Sequence, residues 1–298
     1  MISTSKRGAL LAAGALVINA SVWGVSWWPF RELQGQGLHP LWATALVYFI
    51  VFTGLLVFYR GSLKGFVAHP QLWLLAFASG MTNVGFNWAV TVGDVVRVVL
   101  LFYLMPAWSV LVAWALLGEK PTGASLLRLV IAMAGVLIVL KAPGATWPVP
   151  QDLPDWLAIM GGFSFALTNV MLSKLSHTPT GSRMLAMFAG GSVLAAGAAL
   201  VGMSQQIVPS PALGGMAPLL ILGLSLAFLI SNSALQYGAA RLAATTTALV
   251  MLTEILFASG SAALLGAAAF TPRIWLGGSL IVLAALMAAL SPSVDKHH

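Results

Sequence analysis

Residues 97–122, RVVLLFYLMPAWSVLVAWALLGEKPT, carry the reading of the fold. About twenty of them are apolar, enough for one helix to cross a bilayer. Pro106 stands in the middle, and a proline inside a helix removes one backbone hydrogen bond and kinks it. In lipid a freed carbonyl is tolerated only where it faces protein or a water-filled cavity. The span therefore lines a cavity or packs its kink against a neighbour. The turn Gly118-Glu119-Lys120-Pro121 ends it.

The rest of the chain has the same character. Of 298 residues, 59% are hydrophobic and 7% charged. A water-soluble domain carries about 25% charged residues, so this chain lacks the charge to cover a globule. It reads as an all-α polytopic membrane protein. The absence of Cys removes disulfides, thiolate nucleophiles and thiolate metal sites. A net charge of +7 would suggest nucleic acid for a soluble protein; here it reports Lys and Arg in cytoplasmic loops, and no nucleic-acid partner is expected. His297-His298 is set aside as a tag remnant.

Apolar runs predict ten spans, at 8–31, 38–59, 71–92, 96–117, 123–141, 154–175, 182–203, 214–237, 242–266 and 273–291. Lys6-Arg7 precedes the first, which is too long for a signal peptide and lacks a clear cleavage site, so it reads as a retained helix. With the N-terminus on one side, that side carries Lys6, Arg7, Arg60, Lys64, Lys120, Arg128, Lys174, Arg183, Arg241 and Lys296. The other side carries Arg31, Arg97, Lys141 and Arg273. This bias puts both termini in the cytoplasm, even with Arg128 left out as a residue able to snorkel.

An internal repeat follows the same division. NWAVTVG at 87–93 matches NSALQYG at 232–238, sharing Asn, Ala and Gly. A shift of 143 sets Ser21, Ser26 and Arg31 against Ser164, Asn169 and Lys174. Leu-Leu-Gly at 116–118 recurs at 264–266, followed by Pro-Thr in one half and Thr-Pro in the other. The units are residues 1–142 and 154–298, joined by a periplasmic linker at 143–153. Five spans per unit is an odd number, so the second copy enters the membrane inverted. Inverted repeats characterise secondary transporters with a midplane site between the halves.

The Leu-rich span with Pro106, its Leu116-Leu117-Gly118-Glu119 end and the following Pro121-Thr122 resemble the EamA-type repeat of the drug/metabolite transporter superfamily. The tryptophan-rich first half and the overall order most resemble the bacterial aromatic amino acid exporters. The resemblance implies an inner-membrane exporter of Phe, Tyr and Trp, working by alternating access. The second half departs from the pattern. Aligning Gly266 with Gly118 puts Glu254 at the place of Pro106 and Ala267 at the place of Glu119, which questions any mechanism with two proline hinges.

Candidate site residues are polar and aromatic side chains inside spans. Ser79, Asn83 and Asn87 share one face of the third span, and Ser225, Asn232 and Gln236 do so in the eighth. The first span offers Asn19, Trp23, Ser26 and Trp27; the sixth offers Ser164, Thr168 and Asn169. Such residues make either interhelical hydrogen bonds or a shared polar cavity. The cavity reading has the third and eighth spans facing each other across it, with Asn83, Asn87, Asn232 and Gln236 inward. Trp73, Trp147, Trp156 and Trp275 near span ends read as interfacial anchors, whereas Trp27, Trp88, Tyr103 and Trp108 lie deeper, where rings stack a planar substrate or attract a cation. Glu254, in line with Thr247 and Ser261, is the one clear carboxylate within a span. It reads as a proton carrier, a contact for a substrate ammonium or a neutral structural acid. Asp94 and Arg97 read as a solvated pair at the outer turn, with a gate as the alternative, and Pro106 as a hinge.

The sequence thus predicts a metabolite exporter with a small-molecule substrate, an amino acid foremost, and membrane lipid around it. Other metabolites or planar cationic toxicants, and a non-transporting sensor or scaffold, are the alternatives. No cofactor or metal is expected. An enzyme would need convergent acid, base or nucleophile, and the spans supply no Cys and no mid-span His. Oligomeric state stays open.

Overall fold

The computed structural model describes residues 6–93, 95–140, 150–266 and 271–290. Asp94, Lys141 and Trp147 lie outside them, as does most of the linker. Among the described residues the fold is helical throughout, as a bilayer demands: a helix satisfies its own backbone where water cannot.

The first half comprises α1 (Lys6–Gly35), α2 (Pro40–Phe58), a 3-10 turn (Arg60–Leu63), α3 (Lys64–Ala68), α4 (Gln71–Val92), α5 (Val95–Phe102), α6 (Met105–Leu117) and α7 (Gly123–Leu140). The second comprises α8 (Leu153–Lys174), α9 (Thr180–Ser204), α10 (Ala217–Ala239), α11 (Ala244–Met251), α12 (Glu254–Leu264) and α13 (Pro272–Ala289). Among the described residues nine stretches are long and apolar enough to cross a membrane, counting α5–α6 and α11–α12 as one each. The exception among the ten predicted spans is α4. Its 22 residues suffice in length, but Ser79, Thr82, Asn83 and Asn87 lower its hydropathy. The first helix also runs through Pro29 to Gly35, beyond the expected end at 31.

Local chemistry sets the ends. Asp152 caps α8, accepting from Asp155 N at 3.4 Å, with Pro154 in the first turn where its missing N–H costs nothing. His39 Nδ1 accepts from Leu41 N at 3.2 Å at the start of α2. Gly118 and Gly266 close α6 and the turn after α12, both at φ +69°, a left-handed conformation in which a side chain is strained.

The main packing crosses between the halves in matched pairs. α4 lies on α8 and α9; α10 lies on α1 and α2. α5 and α6 pack on α8, as α11 and α12 pack on α1. α2 meets α9, and α7 meets α13. In lipid such contacts are close backbone approaches at small residues. At the α7–α13 crossing a Cβ on Gly135 would lie 2.6 Å from Gly277 O, and one on Gly277 2.5 Å from Gly135 O. The glycines let the two backbones touch.

Candidate functional site

Two helices are interrupted at corresponding points. In the first half the break falls at Tyr103-Leu104, where Leu104 N turns back to Leu101 O at 3.3 Å. Pro106 enters in the first turn of α6, a position that suits its fixed φ. The expected mid-helix kink is thus a gap between two helices, with Pro106 just past it. In the second half the break falls at Leu252-Thr253, without a proline. There Leu252 N, Thr253 N and Ile255 N each bond three residues back, at 3.3, 3.1 and 3.1 Å. The Thr253 hydroxyl donates to Val250 O at 2.8 Å. This tight winding and the threonine hydroxyl stand where the first half uses proline.

A cavity of about 40 Å³ lies at both breaks. Its lining comes from Trp23 of α1, Thr82, Asn83, Phe86 and Asn87 of α4, Phe102 of α5, Phe165 of α8, Met251 of α11 and Glu254 of α12. Phe102 ends the helix before the first break; Met251 and Glu254 flank the second. Phe86 meets Phe102 edge-on at 4.9 Å, Phe165 lies 6.1 Å from Phe102, and Trp23 stacks on Phe228 at 4.6 Å. Glu254 is half-buried, and its carboxyl interacts with the Tyr103 hydroxyl of the other broken helix. Its place at the start of α12 also sets a carboxyl at the positive end of that helix. The cavity walls combine aromatic faces, which attract rings and cations, with two amides and one acid, around a volume that admits water.

Of the residues singled out in sequence, Trp23, Asn83, Asn87 and Glu254 meet at this cavity, with Tyr103 against Glu254. Asn83 Nδ2 donates to Ser79 O at 2.9 Å, and Asn87 Nδ2 to Thr44 Oγ1 at 2.7 Å. Asn232 and Gln236 are buried but do not line it. The cavity therefore does not lie between α4 and α10 as expected. Trp23 of α1 stacks on Phe228 of α10 itself, and Tyr48 of α2 interacts with both Asn83 and Asn232. Gln236 Nε2 instead reaches Met187 Sδ at 3.8 Å, and Ser79 Oγ reaches Met187 O at 3.5 Å.

The remaining candidates lie away from this cavity, some joining helices and others bonded within their own. Asn19 Nδ2 donates to Ser231 O at 3.0 Å, and Trp27 Nε1 to Ser261 Oγ at 2.9 Å. Thr168 Oγ1 donates to Ser164 O at 2.9 Å. Asn169 is buried with its amide unpartnered, and Trp108 packs edge-on to Phe163 at 5.8 Å. Trp88 sits away from the cavity, in a cluster with Leu41, Ala199 and Val208. Trp73, Trp156 and Trp275 are exposed, as suits interfacial anchors.

Two features escaped the sequence reading. Tyr48 and Thr44, one turn apart on α2, complete the polar face of α4; two polar residues at helical spacing in an otherwise apolar span were the available signal. Arg97 pairs with Asp155 of α8, its Nε 2.8 Å from both carboxylate oxygens and Nη2 2.7 Å from Oδ2.

Residues 7–141 match the EamA-like transporter family. Comparison with curated proteins finds no significant match. One solved crystal structure superposes with a TM-score of 0.77 at 18% identity, covering 94% of this chain and 96% of the other. At that identity the likeness is one of fold. It spans both halves, whereas the family match spans the first.

Proposed function

We propose that the chain is a secondary transporter exporting small organic metabolites, aromatic amino acids foremost, across the bacterial inner membrane by alternating access. The observation that carries this reading is the cavity at the two helix breaks, walled by Trp23, Phe86, Phe102 and Phe165 and furnished with Asn83, Asn87 and Glu254. A ring would stack among the aromatics, a carboxylate accept from the amides and an ammonium meet Glu254. At about 40 Å³ the cavity admits water but no ring, since pockets for small organic molecules run to roughly 300 Å³ or more. The cycle must therefore open it to one side and then the other.

The inverted five-helix repeat supplies the moving parts. It is supported by the matched packing of α4 on α8 and α10 on α1, by the paired breaks, and by the shared φ of Gly118 and Gly266. Both termini are then cytoplasmic. A second reading, export of planar cations, draws on the acid among aromatic walls. Purified protein in liposomes, loaded with unlabelled Phe and given external labelled Phe, tests the first. Counterflow with Phe, Tyr and Trp that small aliphatic amino acids do not compete away is expected. Counterflow only with a planar cation would favour the second reading, and none with either would refute both.

A further inference from the structure

Arg183 is a buried cation with no anionic partner among the described residues. It lies in the first turn of α9 and is 4% exposed. Nη2 donates to Thr180 Oγ1 at 3.1 Å, which pins the guanidinium at the first residue of the helix. Nε and Nη1 are buried and have no partner among the described residues. No described carboxylate pairs with it, and a second cation, Arg241, acts on it electrostatically. Arg241 is exposed, with its guanidinium 3.7 Å over the Tyr237 ring and Nη1 donating to Tyr237 O. The N-terminus of α9 has no side-chain cap and carries the positive end of a 25-residue helix. Beside it opens a groove of about 380 Å³, whose wall includes Ser62, Lys64, His69, Pro179 and Ser182.

A buried guanidinium, a helix N-terminus and a second arginine come together with no compensating carboxylate among the described residues. Unpaired buried cations are poorly tolerated, and these three elements together are the equipment of an oxyanion site. We infer that the first turn of α9 binds a phosphate or carboxylate oxyanion, held by the free Nε and Nη1 of Arg183 with Arg241 beside it. The fork of Arg183 matches two oxygens of such a group, and Thr180 fixes its orientation. The neighbouring groove is lined by Pro179 and Ser182, the residues that precede Thr180 and Arg183 in the chain. The oxyanion has two possible sources: the phosphate of an anionic lipid headgroup at the membrane surface, or a free oxyanion in solution. The site lies apart from the central cavity, and its oxyanion does not depend on what that cavity transports.

The test uses the full chain in a neutral maltoside detergent, following thermal unfolding against added short-chain phosphatidylglycerol and, separately, sodium phosphate at constant ionic strength. Wild-type protein is stabilised saturably. Stabilisation by the lipid alone identifies a headgroup; stabilisation by both identifies a free oxyanion. In Arg183→Gln the half-saturating concentration rises by about tenfold or more, the loss of one charge-assisted hydrogen bond. Without added anion this variant unfolds no earlier than wild type, because it forfeits only the Thr180 contact. Arg241→Gln, at an exposed position, raises the half-saturating concentration where Arg183→Gln gives no folded protein. Absence of stabilisation in wild type, or variants that respond as wild type does, overturns the site.

Discussion

Replacing Asp155 by Asn should loosen the grip of α5 on α8 and open the central cavity. The Asp155 side chain is 2% exposed and that of Arg97 22%, and three contacts of 2.7–2.8 Å join them. Asp155 Oδ2 also accepts from Gln151 N at 2.9 Å. Breaking a buried pair costs about 3–5 kcal/mol. Arg97 keeps some solvent contact and recovers hydration once its partner is neutral, so about 2–3 kcal/mol is the figure to expect here. Because α5 ends in Phe102 and α8 carries Phe165, both cavity walls, the pair acts directly on the closed form. If the whole energy belongs to that form, its population falls by about 30- to 150-fold relative to the open one. The chain has no Cys, so a single cysteine in place of Phe102 reports access cleanly. Its reaction with a membrane-impermeant thiol reagent should accelerate by up to that factor in Asp155→Asn. Arg97→Gln should do the same, and the double variant should add little to either. Labelling rates and denaturant midpoints equal to wild type in both single variants would refute the closing role of the pair.

Other outcomes follow from the same structure. Gly190→Ala would drive a Cβ into the Ala76 carbonyl of α4 and should cost about 1–3 kcal/mol in detergent unfolding, whereas Gly197→Ala on the same helix, with open space around it, should stay within about 0.5 kcal/mol. Burial lowers the pKa of His39 below its ordinary 6.5, and its Nδ1 accepts a hydrogen bond only when unprotonated. Its contribution is full above pH 6.5 and lost as pH falls through the depressed folded value; His39→Asn should flatten that part of the stability profile. Single cysteines at 62, 120, 178 and 240 should label from the cytoplasm, and those at 35 and 209 from the periplasm. The reverse pattern at any two would break the inverted topology.

Span positions were legible because the bilayer imposes one coarse rule, a run of about twenty apolar residues; nine of the ten predicted spans meet it among the described residues, and α4 falls short in hydropathy. The breaks were half legible. Pro106 announces the first, since its missing N–H must be accommodated somewhere. The second has no such flag: tight turns at Leu252-Thr253 and the Thr253 hydroxyl do the work, and threonine is common in unbroken helices too. The site was legible as a set of polar residues and illegible as a shape. Helical spacing puts Ser79, Asn83 and Asn87 on one face, but what they meet depends on which helix arrives there. Tyr48 and Thr44 of α2 take two of the three, and Asn232 is drawn to Tyr48. The expected pairing of Arg97 with Asp94 falls outside the described residues; the contact with Asp155, 58 residues away and 2.8 Å from Arg97 Nε, was illegible because only the packing of α5 on α8 creates it.

Glu254 separates a proton-coupled exporter from a facilitator. It stands at the cavity, at the start of α12, with Tyr103 of the opposite broken helix against its carboxyl. A proton carrier must be reachable from the transport path and must alter a contact between moving parts when it changes charge; under the proposed function, the cavity position and the Tyr103 contact of Glu254 would supply both. Gln in its place keeps the shape and the contact with Tyr103 but fixes the neutral state. On that reading, exchange of labelled for unlabelled Phe in Glu254→Gln liposomes should continue within a few-fold of wild type, because exchange needs no net proton movement. Uphill accumulation driven by a pH gradient should vanish. A role in gripping the substrate ammonium would weaken apparent affinity in both assays, by about tenfold for one charged hydrogen bond. Equal wild-type transport with and without a pH gradient would exclude the carrier role and leave Glu254 as a fastening between the two broken helices.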